Sequence, residues 1–305
     1  MKSMESREIA FVVLHYQVIE VTKKCVESIL KLMNQQEREN FIIIVVDNCS
    51  PNATGIELKK IYIHNKYVEV IQNTENLGFS KGNNIGYKKA KEKYQAEYII
   101  VTNNDTEFIQ KEFVDLMKED FKKYAYYVLG PDIVNLCGIS QSPQRDHIIS
   151  NREIYIWYSK RYFYTRILKI QKSLGIKFKF IEKYYLNREE DRIRNFKTNE
   201  LQENVELQGA CIIFSPLYIS KNDFAFEELA FMYTEEAALA YRCGRNNWKI
   251  LYDPSLKIRH LEKASTNVLA EYNLDKEIFY SENNEKSLRA LIKNIKRNAR
   301  LLDRG

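Results

Sequence analysis

The chain has 305 residues, 45% hydrophobic and 29% charged, with only 10 glycines and 5 prolines. This composition excludes collagen-like and wholly disordered chains and allows a large core in one or two domains. The net charge is +6, but residues 151–197 alone carry 13 Lys or Arg against 5 Asp or Glu, which excludes a general nucleic-acid binder and favours a local anionic partner.

The first 135 residues alternate between apolar runs and amphipathic segments. The apolar runs predict buried strands at 9–16, 41–47, 67–72, 98–103 and 125–130, and the segments with helical spacing predict helices at 21–33, 81–93 and 111–123. Strands and helices in alternation are typical of βαβ units. The sequence therefore predicts an α/β fold with a mainly parallel, Rossmann-like sheet.

The second part of the chain has a different composition. Residues 151–197 contain eleven aromatic side chains among their basic residues, and we expect a helical insertion there. Beyond it, the pattern predicts strands at 205–215 and 248–252, a helix at 233–243 and a closing amphipathic helix at about 283–302. No run of about 18 apolar residues occurs, so no membrane-spanning helix is predicted.

Polar residues follow three of the predicted strands. They are residues 47–50 (DNCS), residues 76–86 (NLGFSKGNNIG) and residues 103–105 (NND). Since ligands bind at the carboxyl ends of parallel strands, we expect the three groups to meet at one edge of the sheet. An aspartate such as Asp47 often only caps a turn or a helix, and the glycine-rich stretch matches neither the P-loop nor the dinucleotide pattern.

Asp105 is a candidate metal ligand at the end of the fourth predicted strand. A hard cation such as Mg²⁺ is usually held by one or two carboxylates together with phosphate oxygens and water. The three-residue motif Asn-Asn-Asp meets this requirement but is not specific by itself. His260 lies on a further apolar stretch, and a lone histidine of this kind is more often structural than a ligand.

Two adjacent carboxylates, Glu235 and Glu236, lie near the start of the predicted helix at 233–243. One interpretation is that they stabilise the positive end of the helix dipole. The other is that the pair supplies a general base. Arg242, farther along the same helix, would either neutralise a phosphate or pair with a nearby glutamate.

In chain order, the sequence blocks resemble those of the family 2 glycosyltransferases. The blocks are VVLHY, VVDNCS, N-x-x-N-L-G-F-S-K-G-N-N-x-G, NND, LQGA, FMYTEE-x-x-L-x-x-R and P-x-x-x-I-x-H. The most similar group is the rhamnosyltransferase-like branch of bacterial surface polysaccharide synthesis. The resemblance runs from about residue 9 to 265 and is weakest over 151–197. It implies the GT-A fold and an inverting transfer of a sugar from a nucleotide donor to a hydroxyl group.

The resemblance also implies roles for individual residues. The nucleotide would be bound by residues at the first strand ends, namely Asp47, Asn76, Gly78, Lys81, Asn83 and Asn104. The cleft for the donor sugar and the acceptor would be lined by Gln208, Gly209, Ala210 and Arg242. Asp105 and His260 would hold a divalent metal, Mg²⁺ or Mn²⁺. Glu236 would be the catalytic base, with Glu235 beside it. Many relatives have two carboxylates where this chain has Asn-Asn-Asp.

The resemblance divides the chain into three parts. Residues 1–135 would bind the nucleotide sugar, residues 136–265 would form the acceptor and catalytic half with the insertion at 151–197, and residues 266–305 would form a C-terminal helical segment. The implied partners are a UDP- or dTDP-sugar and a glycan or lipid-linked glycan acceptor. The alternatives are a non-catalytic nucleotide-sugar-binding or scaffolding protein and a nucleotidyltransferase, although residues 17–20 lack the glycines and basic residues that the latter needs.

The location of the protein is predicted from its cysteines and its basic segment. Five scattered cysteines without a C-x-x-C pair, and no signal-peptide pattern at the first residues, are typical of a cytoplasmic protein. Basic and aromatic residues together are typical of proteins that rest on an anionic membrane, here the inner face of the plasma membrane. The alternative is that these aromatic residues pack a helical subdomain or a homo-oligomer contact.

Overall fold

The computed structural model describes residues 6–35, 40–175, 199–261 and 273–302. The strands are β1 (Ile9–His15), β2 (Phe41–Asp47), β3 (Val68–Gln72), β4 (Tyr98–Asn103), β5 (Thr106–Glu107), β6 (Val128–Asn135), β7 (Gln202–Glu203), β8 (Cys211–Phe214) and β9 (Ile250–His260). The helices are α1 (Ile19–Gln35), α2 (Thr54–Tyr62), α3 (Gly78–Glu92), α4 (Phe113–Tyr124), α5 (Asn151–Leu174), α6 (Pro216–Ile219), α7 (Glu235–Arg245) and α8 (Leu274–Leu302).

The strands form one mixed sheet in the order β3-β2-β1-β4-β8-β6-β9-β5, with β7 paired to β9. The first four are mutually parallel, whereas β8 runs antiparallel to both β4 and β6. The predicted α/β fold with a mainly parallel sheet is confirmed. The strand order reverses between β1 and β4, which is where an open sheet of this kind forms its ligand crevice.

The central strands are apolar on both faces because helices cover both faces. In β1, Phe11 and Val13 pack in one core with residues of α1 and α4, and Ala10 and Val12 pack in a second core with residues of α3 and α7. This explains the continuous apolar runs that the sequence shows for β1 and β2. The polar residues at the strand ends are therefore left as the surface on which a ligand can be bound.

Several predicted boundaries differ from the observed ones. The predicted strand at 205–215 is reduced to β8, and the predicted strand at 248–252 extends to His260 through an irregularity in the pairing of β6 with β9. The fifth predicted strand, at 125–130, is β6, which is shifted toward the C-terminus. The closing helix starts at Leu274 rather than near 283, and the sequence pattern did not predict α2, β5 or β7.

Within the residues that the structure describes, α5 occupies the first part of the segment predicted as a helical insertion. Ser150 and Glu153 form a capping box at its start, and Gly175 ends it with a left-handed conformation (φ 65°). The remainder of the basic and aromatic segment, 176–198, lies outside the described residues. Across the described ranges, no helix combines the length and the apolarity that crossing a bilayer requires.

The helix α5 packs along α8, and several of its cations pair with acids of that helix. Lys172 lies 2.6 Å from Asp275, and Arg166 lies 3.3 Å from Glu285. The two helices also contact α7 through a small apolar core that includes Ile154, Ala237, Ala238, Leu288 and Leu291. Part of the local positive charge is thus used within the molecule, and the insertion supports the helix that begins with Glu235.

Candidate active site

Asp47 ends β2 with its carboxylate almost completely buried. One carboxylate oxygen accepts hydrogen bonds from the Ser50 backbone N–H (3.1 Å) and the Ser50 hydroxyl (2.6 Å). The other oxygen lies so close to Gly55 in the first turn of α2 that any Cβ at residue 55 would overlap it. The side chain therefore organises the turn and faces a helix N-terminus, as the simpler interpretation of Asp47 expects.

His15 is a site residue that the sequence analysis did not single out. At the end of β1, its Nδ1 lies 2.6 Å from the Thr22 hydroxyl and its Nε2 lies 2.9 Å from the Thr54 hydroxyl. The Asn104 side-chain amide donates to the same Thr22 oxygen (3.0 Å). Burial lowers the pKa of His15, against the opposing effect of Asp47, which favours a neutral ring. His15 thereby connects the loops after β1, β2 and β4.

Asn48 fixes the shape of the glycine-rich loop after β3. Its amide nitrogen donates to Asn76 Oδ1 (2.9 Å) and to the Gly78 carbonyl (3.0 Å), and its Oδ1 accepts from the Leu77 backbone N–H (3.0 Å). Gly78 has a left-handed conformation (φ 79°), and a Cβ there would overlap the carbonyl of Phe231. Only glycine fits at this close approach. The loop is thus held against the segment that precedes α7.

Two other residues of this loop differ in their exposure. Lys81 is exposed on α3. Asn83 is only 1% exposed, its amide nitrogen donates to the Phe79 carbonyl (3.1 Å), and its Oδ1 has no hydrogen-bond partner. The prediction that Asn83 contacts a nucleotide is not supported by this orientation, because the side chain is turned into the protein.

Asp105 and His260 lie together although 155 positions separate them. β5 pairs with β9 so that Thr106 is opposite His260, and the His260 Nε2 lies 3.1 Å from Asp105 Oδ1. The other ring nitrogen lies 2.7 Å from Gln141 Oε1, which fixes the orientation of the imidazole. Both side chains are about nine-tenths buried. The two predicted metal ligands are therefore neighbours.

The donor set at this position suits a divalent cation that also binds phosphate. A carboxylate and an imidazole are accepted by Mn²⁺ and, for the carboxylate, by Mg²⁺. Among the residues described, no cluster of three or more His, Cys, Asp or Glu side chains could enclose a metal ion. Asp105 and His260 consequently fit a metal only as a pair whose remaining ligands come from the substrate and from water.

The segment 208–210 lies beside the end of β4 and beneath Glu236. The Asn103 backbone N–H donates to the Ala210 carbonyl (2.8 Å), and the Gln208 side chain accepts from the Ala210 backbone N–H. A Cβ at Gly209 would overlap the Glu236 carboxylate. The absence of a side chain at residue 209 therefore makes room for Glu236.

Glu235 and Glu236 occupy the first turn of α7, and the two preceding residues are strained. Tyr233 (φ 75°) and Thr234 (φ 70°) both have left-handed conformations, which cost free energy for residues other than glycine and often occur at functional sites. Glu235 is buried and accepts a hydrogen bond from the Ser80 hydroxyl (3.3 Å). Burial, with a smaller effect of Glu236, raises the pKa of Glu235 above its ordinary range. Glu235 is therefore disposed to keep its proton.

Arg242 does not line the cleft, contrary to the prediction. Its guanidinium donates to the Ala225 carbonyl (2.8 Å) and to the Tyr218 hydroxyl, and it lies 3.6 Å from Glu227. The same group lies over the Phe224 ring, 4.6 Å from its centroid. Six positions along a helix rotate a side chain by about 240°, so Arg242 and Glu236 project in different directions. The ion pair with Glu227 agrees with the alternative interpretation, in which Arg242 pairs with a nearby glutamate.

Glu206 is a second residue that sequence reasoning missed. It is 2% exposed, and its Oε2 lies 3.0 Å from Arg145 Nε. Burial raises the pKa of Glu206 to about 7, Arg145 opposes this shift and Glu236 adds to it. Glu206 lies two positions before the predicted cleft segment, and a charged residue inside an apolar run was the only available signal.

The predicted residues of distant sequence segments lie at one edge of the sheet. His15 and Thr22 join the ends of β1 and β2 to the loop after β4. Asn103 at the end of β4 contacts the segment 208–210, and that segment contacts Glu236. The contacts thus connect the ends of β1, β2 and β4, the segment 208–210 and the first turn of α7.

A family model described as glycosyl transferase family 2 matches residues 10–182, more than half of the chain. No curated protein is significantly similar to the chain in sequence. Among solved structures, S. aureus TarS 1–349 is 16% identical with a TM-score of 0.52, covering 83% of this chain and 60% of that one. The similarity thus spans less than two thirds of the length of that structure.

Two further similar structures contain bound ligands. S. aureus TarS 1–349 in complex with UDP-GlcNAc is 15% identical with a TM-score of 0.51, covering 93% of this chain and 70% of that one. GalNAc-T7 with UDP, GalNAc and Mn²⁺ is 14% identical with a TM-score of 0.52, covering 86% and 44%. At these identities the similarity shows the shared fold alone.

Proposed function

This chain belongs to glycosyl transferase family 2, and we propose that it transfers a sugar, with inversion, from a nucleotide-sugar donor to a hydroxyl group of a glycan or lipid-linked glycan. The observation that carries the proposal is the convergence of three groups at one edge of the sheet. These are the loops after β2 and β3, the pair Asp105–His260, and Glu236 against Gly209. The first binds, the second neutralises charge and the third accepts a proton.

On the donor side, the nucleoside lies in this proposal against the loops organised by Asp47, Asn48 and Asn76. Asn104 and Gly78 line the same pocket, and Lys81 is available to the diphosphate. The solved relatives bound to UDP and UDP-GlcNAc support a uridine nucleotide, with dTDP as the alternative because thymine offers the same hydrogen-bonding edge. Gln208, Gly209 and Ala210 lie next to the donor sugar, where the reaction takes place.

The chemistry requires one base and one leaving group. The acceptor hydroxyl attacks the anomeric carbon from the face opposite the diphosphate, the Glu236 carboxylate takes the hydroxyl proton, and the bond from carbon to the diphosphate oxygen breaks. The electron pair leaves with the nucleoside diphosphate, and the single displacement inverts the anomeric centre. Glu235, which favours its protonated form, leaves Glu236 as the acceptor of the proton. No side chain forms a covalent intermediate.

A divalent metal, Mg²⁺ or Mn²⁺, would be held by Asp105 and His260. When bound, such a metal supplies positive charge beside the diphosphate that leaves. Independently of it, Gln141 keeps the His260 ring in one orientation, and Asn104, the chain neighbour of Asp105, donates a hydrogen bond to Thr22, which also contacts His15. The GalNAc-T7 structure with UDP and Mn²⁺ supports a metal in this fold.

The finer assignments rest on the sequence resemblance and belong to the same proposal. They are a rhamnosyltransferase-like role in surface polysaccharide synthesis, a donor half at 1–135, an acceptor half at 136–265 and a helical segment at 266–305. The proposed location is the cytoplasm, at the inner face of the plasma membrane where a lipid-linked acceptor is found. A homo-oligomer contact through α5 stays a prediction.

The proposed function is tested with a panel of UDP-, dTDP- and GDP-sugars. Thermal shift with each nucleoside diphosphate is measured first, because a ligand that binds the native state raises its midpoint. Transfer to glycan and lipid-linked acceptors is then followed by release of nucleoside diphosphate. We expect one nucleotide to be selected and its sugars to be transferred. Binding without transfer or hydrolysis across the whole panel would instead support a non-catalytic binding protein.

A further inference from the structure

Glu206 lies three positions before Gly209, the residue against which the proposed base packs, and the family resemblance assigns it no role. It belongs to the segment that leads into Gln208 and Gly209, and the Glu236 carboxylate rests on Gly209. Leu207 and Glu236 also line the same small space behind α7. The Glu206 side chain is only 3% exposed, so its charge is little screened by water. The charges of Glu206 and Glu236 therefore act on each other through the protein interior.

Arg145 holds Glu206 by both its side chain and its backbone. Its Nε lies 3.0 Å from Glu206 Oε2, and the two backbones exchange hydrogen bonds of 3.1 and 3.3 Å. The Arg145 guanidinium also lies over the Trp157 ring of α5, 4.9 Å from the centroid. An arginine that stacks on an aromatic ring while it binds a carboxylate is confined to one orientation. The start of the insertion thus controls the position of Glu206.

A buried carboxylate needs such a partner in order to stay ionised. Burial raises the pKa of Glu206 to about 7, and the charge of Arg145 keeps it from rising further. An ionised Glu206 close to Glu236 increases the affinity of Glu236 for a proton, which makes Glu236 a stronger base. Without Arg145, Glu206 would take up a proton and this effect would be lost.

Given the proposed function, on which this inference rests, we propose that Glu206, held by Arg145, is a positioning residue for the base Glu236. Glu206 does not touch the substrate in this proposal. It sets the charge next to Glu236 and fixes the segment on which Glu236 rests. Helix α5 thereby acts on the reaction through Trp157 and Arg145.

Other charged groups near this pair enter the interpretation of pH effects. Glu206 also faces His147 and Glu153, and His147 lies 2.8 Å from Glu153 on the surface. On the opposite side of Glu236, Glu235 of the same helix is buried against Ser80. Hydrogen bonds to Asp146 and Glu153 raise the pKa of His147 independently of Glu206, so the experiment compares variants with wild type rather than reading one profile alone.

The experiment measures the pH dependence of kcat/KM for the acceptor in wild type and in Glu206→Gln. We expect the acidic limb of the profile to move to lower pH by roughly one unit and the plateau to fall about three- to tenfold, because the base becomes weaker. The matched control is Glu203→Gln, an exposed residue three positions away that pairs with Lys249 (3.0 Å), and its profile is expected to equal that of wild type.

Variants of Arg145 separate this effect from a merely structural one. Arg145→Gln should move the limb in the same direction as Glu206→Gln, the double variant should move it no further, and Arg145→Lys should restore most of the wild-type profile. If Glu206→Gln does not fold, Arg145→Gln and Arg145→Lys carry the same test. An unchanged limb in the folded variants, with only stability or rate lowered, would overturn the inference.

A readout without activity distinguishes this inference from the proposed function. With ¹³C-labelled glutamate, the carboxyl signal that disappears in Glu236→Gln is titrated in wild type and in Glu206→Gln. We expect its titration midpoint to be lower in Glu206→Gln by the same roughly one unit. An unchanged midpoint would refute the coupling even if the enzyme transfers sugar. A shifted midpoint in a protein that transfers no sugar would leave the coupling intact and refute the proposed function.

Discussion

The two sides of the crevice satisfy their polar groups in opposite ways. On the donor side, Asp47 and Asn48 are hydrogen-bonded to the turns around them, and His15 is bonded at both ring nitrogens. On the catalytic side, Glu206 and Glu235 are buried acids with raised pKa values, and α7 starts after two strained residues. In the proposed function, the first arrangement would hold the donor loops in one conformation, and the second would place acids that bind protons readily beside the base.

The largest effect is expected on the catalytic side, from Glu236→Gln. Removal of the base should lower kcat by about 10²- to 10⁴-fold, while the dissociation constant of the donor nucleotide stays close to that of wild type. Turnover is measured by release of nucleoside diphosphate and binding by calorimetry. Glu203→Gln is the control for a surface substitution. Turnover in Glu236→Gln similar to that of wild type would remove this residue from the proposed role.

Metal removal tests the proposed role of Asp105 and His260, which lie between the donor side and the catalytic side. EDTA should abolish transfer, and Mg²⁺ or Mn²⁺ should restore it, because Asp105 and His260 offer only two ligands and cannot substitute for the charge of a metal. Asp105→Asn should raise the metal concentration needed for half-maximal rate about tenfold or more. Full activity in the chelator would show that this acid and histidine serve only to hold β5 to β9.

A substitution at Gly55 probes the donor side. Alanine in a helix normally stabilises a protein relative to glycine by up to about 1 kcal/mol. Here its Cβ would overlap the Asp47 carboxylate, so Gly55→Ala should instead destabilise by about 1–3 kcal/mol and weaken nucleotide binding. Urea unfolding and calorimetry measure the two effects. Glu57→Ala, on the exposed face of the same helix, is the control, and equal behaviour of both variants would contradict the prediction.

The smallest effect concerns stability and pH at Glu235. Its pKa is raised in the folded protein, so the native state binds more protons than the unfolded state between the ordinary glutamate pKa and the raised value. The contribution of Glu235 to the free energy of unfolding is fully present below about pH 4.5. It is lost as the pH rises through the raised pKa. Glu235→Gln should therefore melt a few degrees higher than wild type at pH 9 and equally at pH 4.5 in thermal scans. A constant difference at both values would contradict this.

The sequence predicted the elements with a strong local pattern and missed those that depend on distant contacts. The runs at β1 and β2 and the location of Glu235 and Glu236 in a first helical turn follow from periodicity and were predicted. β5 has two residues and exists only because it pairs with the end of β9, so no local pattern could predict it. That pairing is nevertheless what brings Asp105 to His260.

Arg242 and Glu206 show that side-chain contacts between distant segments cannot be predicted from sequence spacing either. The position of Arg242 in a family block indicated the cleft, but its helical rotation directs it to Tyr218 and Glu227. The sequence could not indicate a role for Glu206, because its partner, Arg145, is 61 positions away in the chain. Sequence spacing locates a residue on an element, whereas the direction and partners of its side chain are set by the packing of other elements.

The contact of Gly78 and Phe79 with the Phe231 carbonyl has a consequence for engineering. Phe79 donates its backbone N–H to that carbonyl (3.0 Å), so the donor loop and the segment before α7 share one main-chain interface. A loop grafted at 76–86 would keep this hydrogen bond only if it followed the same backbone path and had glycine at residue 78, because a Cβ there would overlap the Phe231 carbonyl. Chimeras intended to change donor choice should therefore treat the two segments as a single cassette.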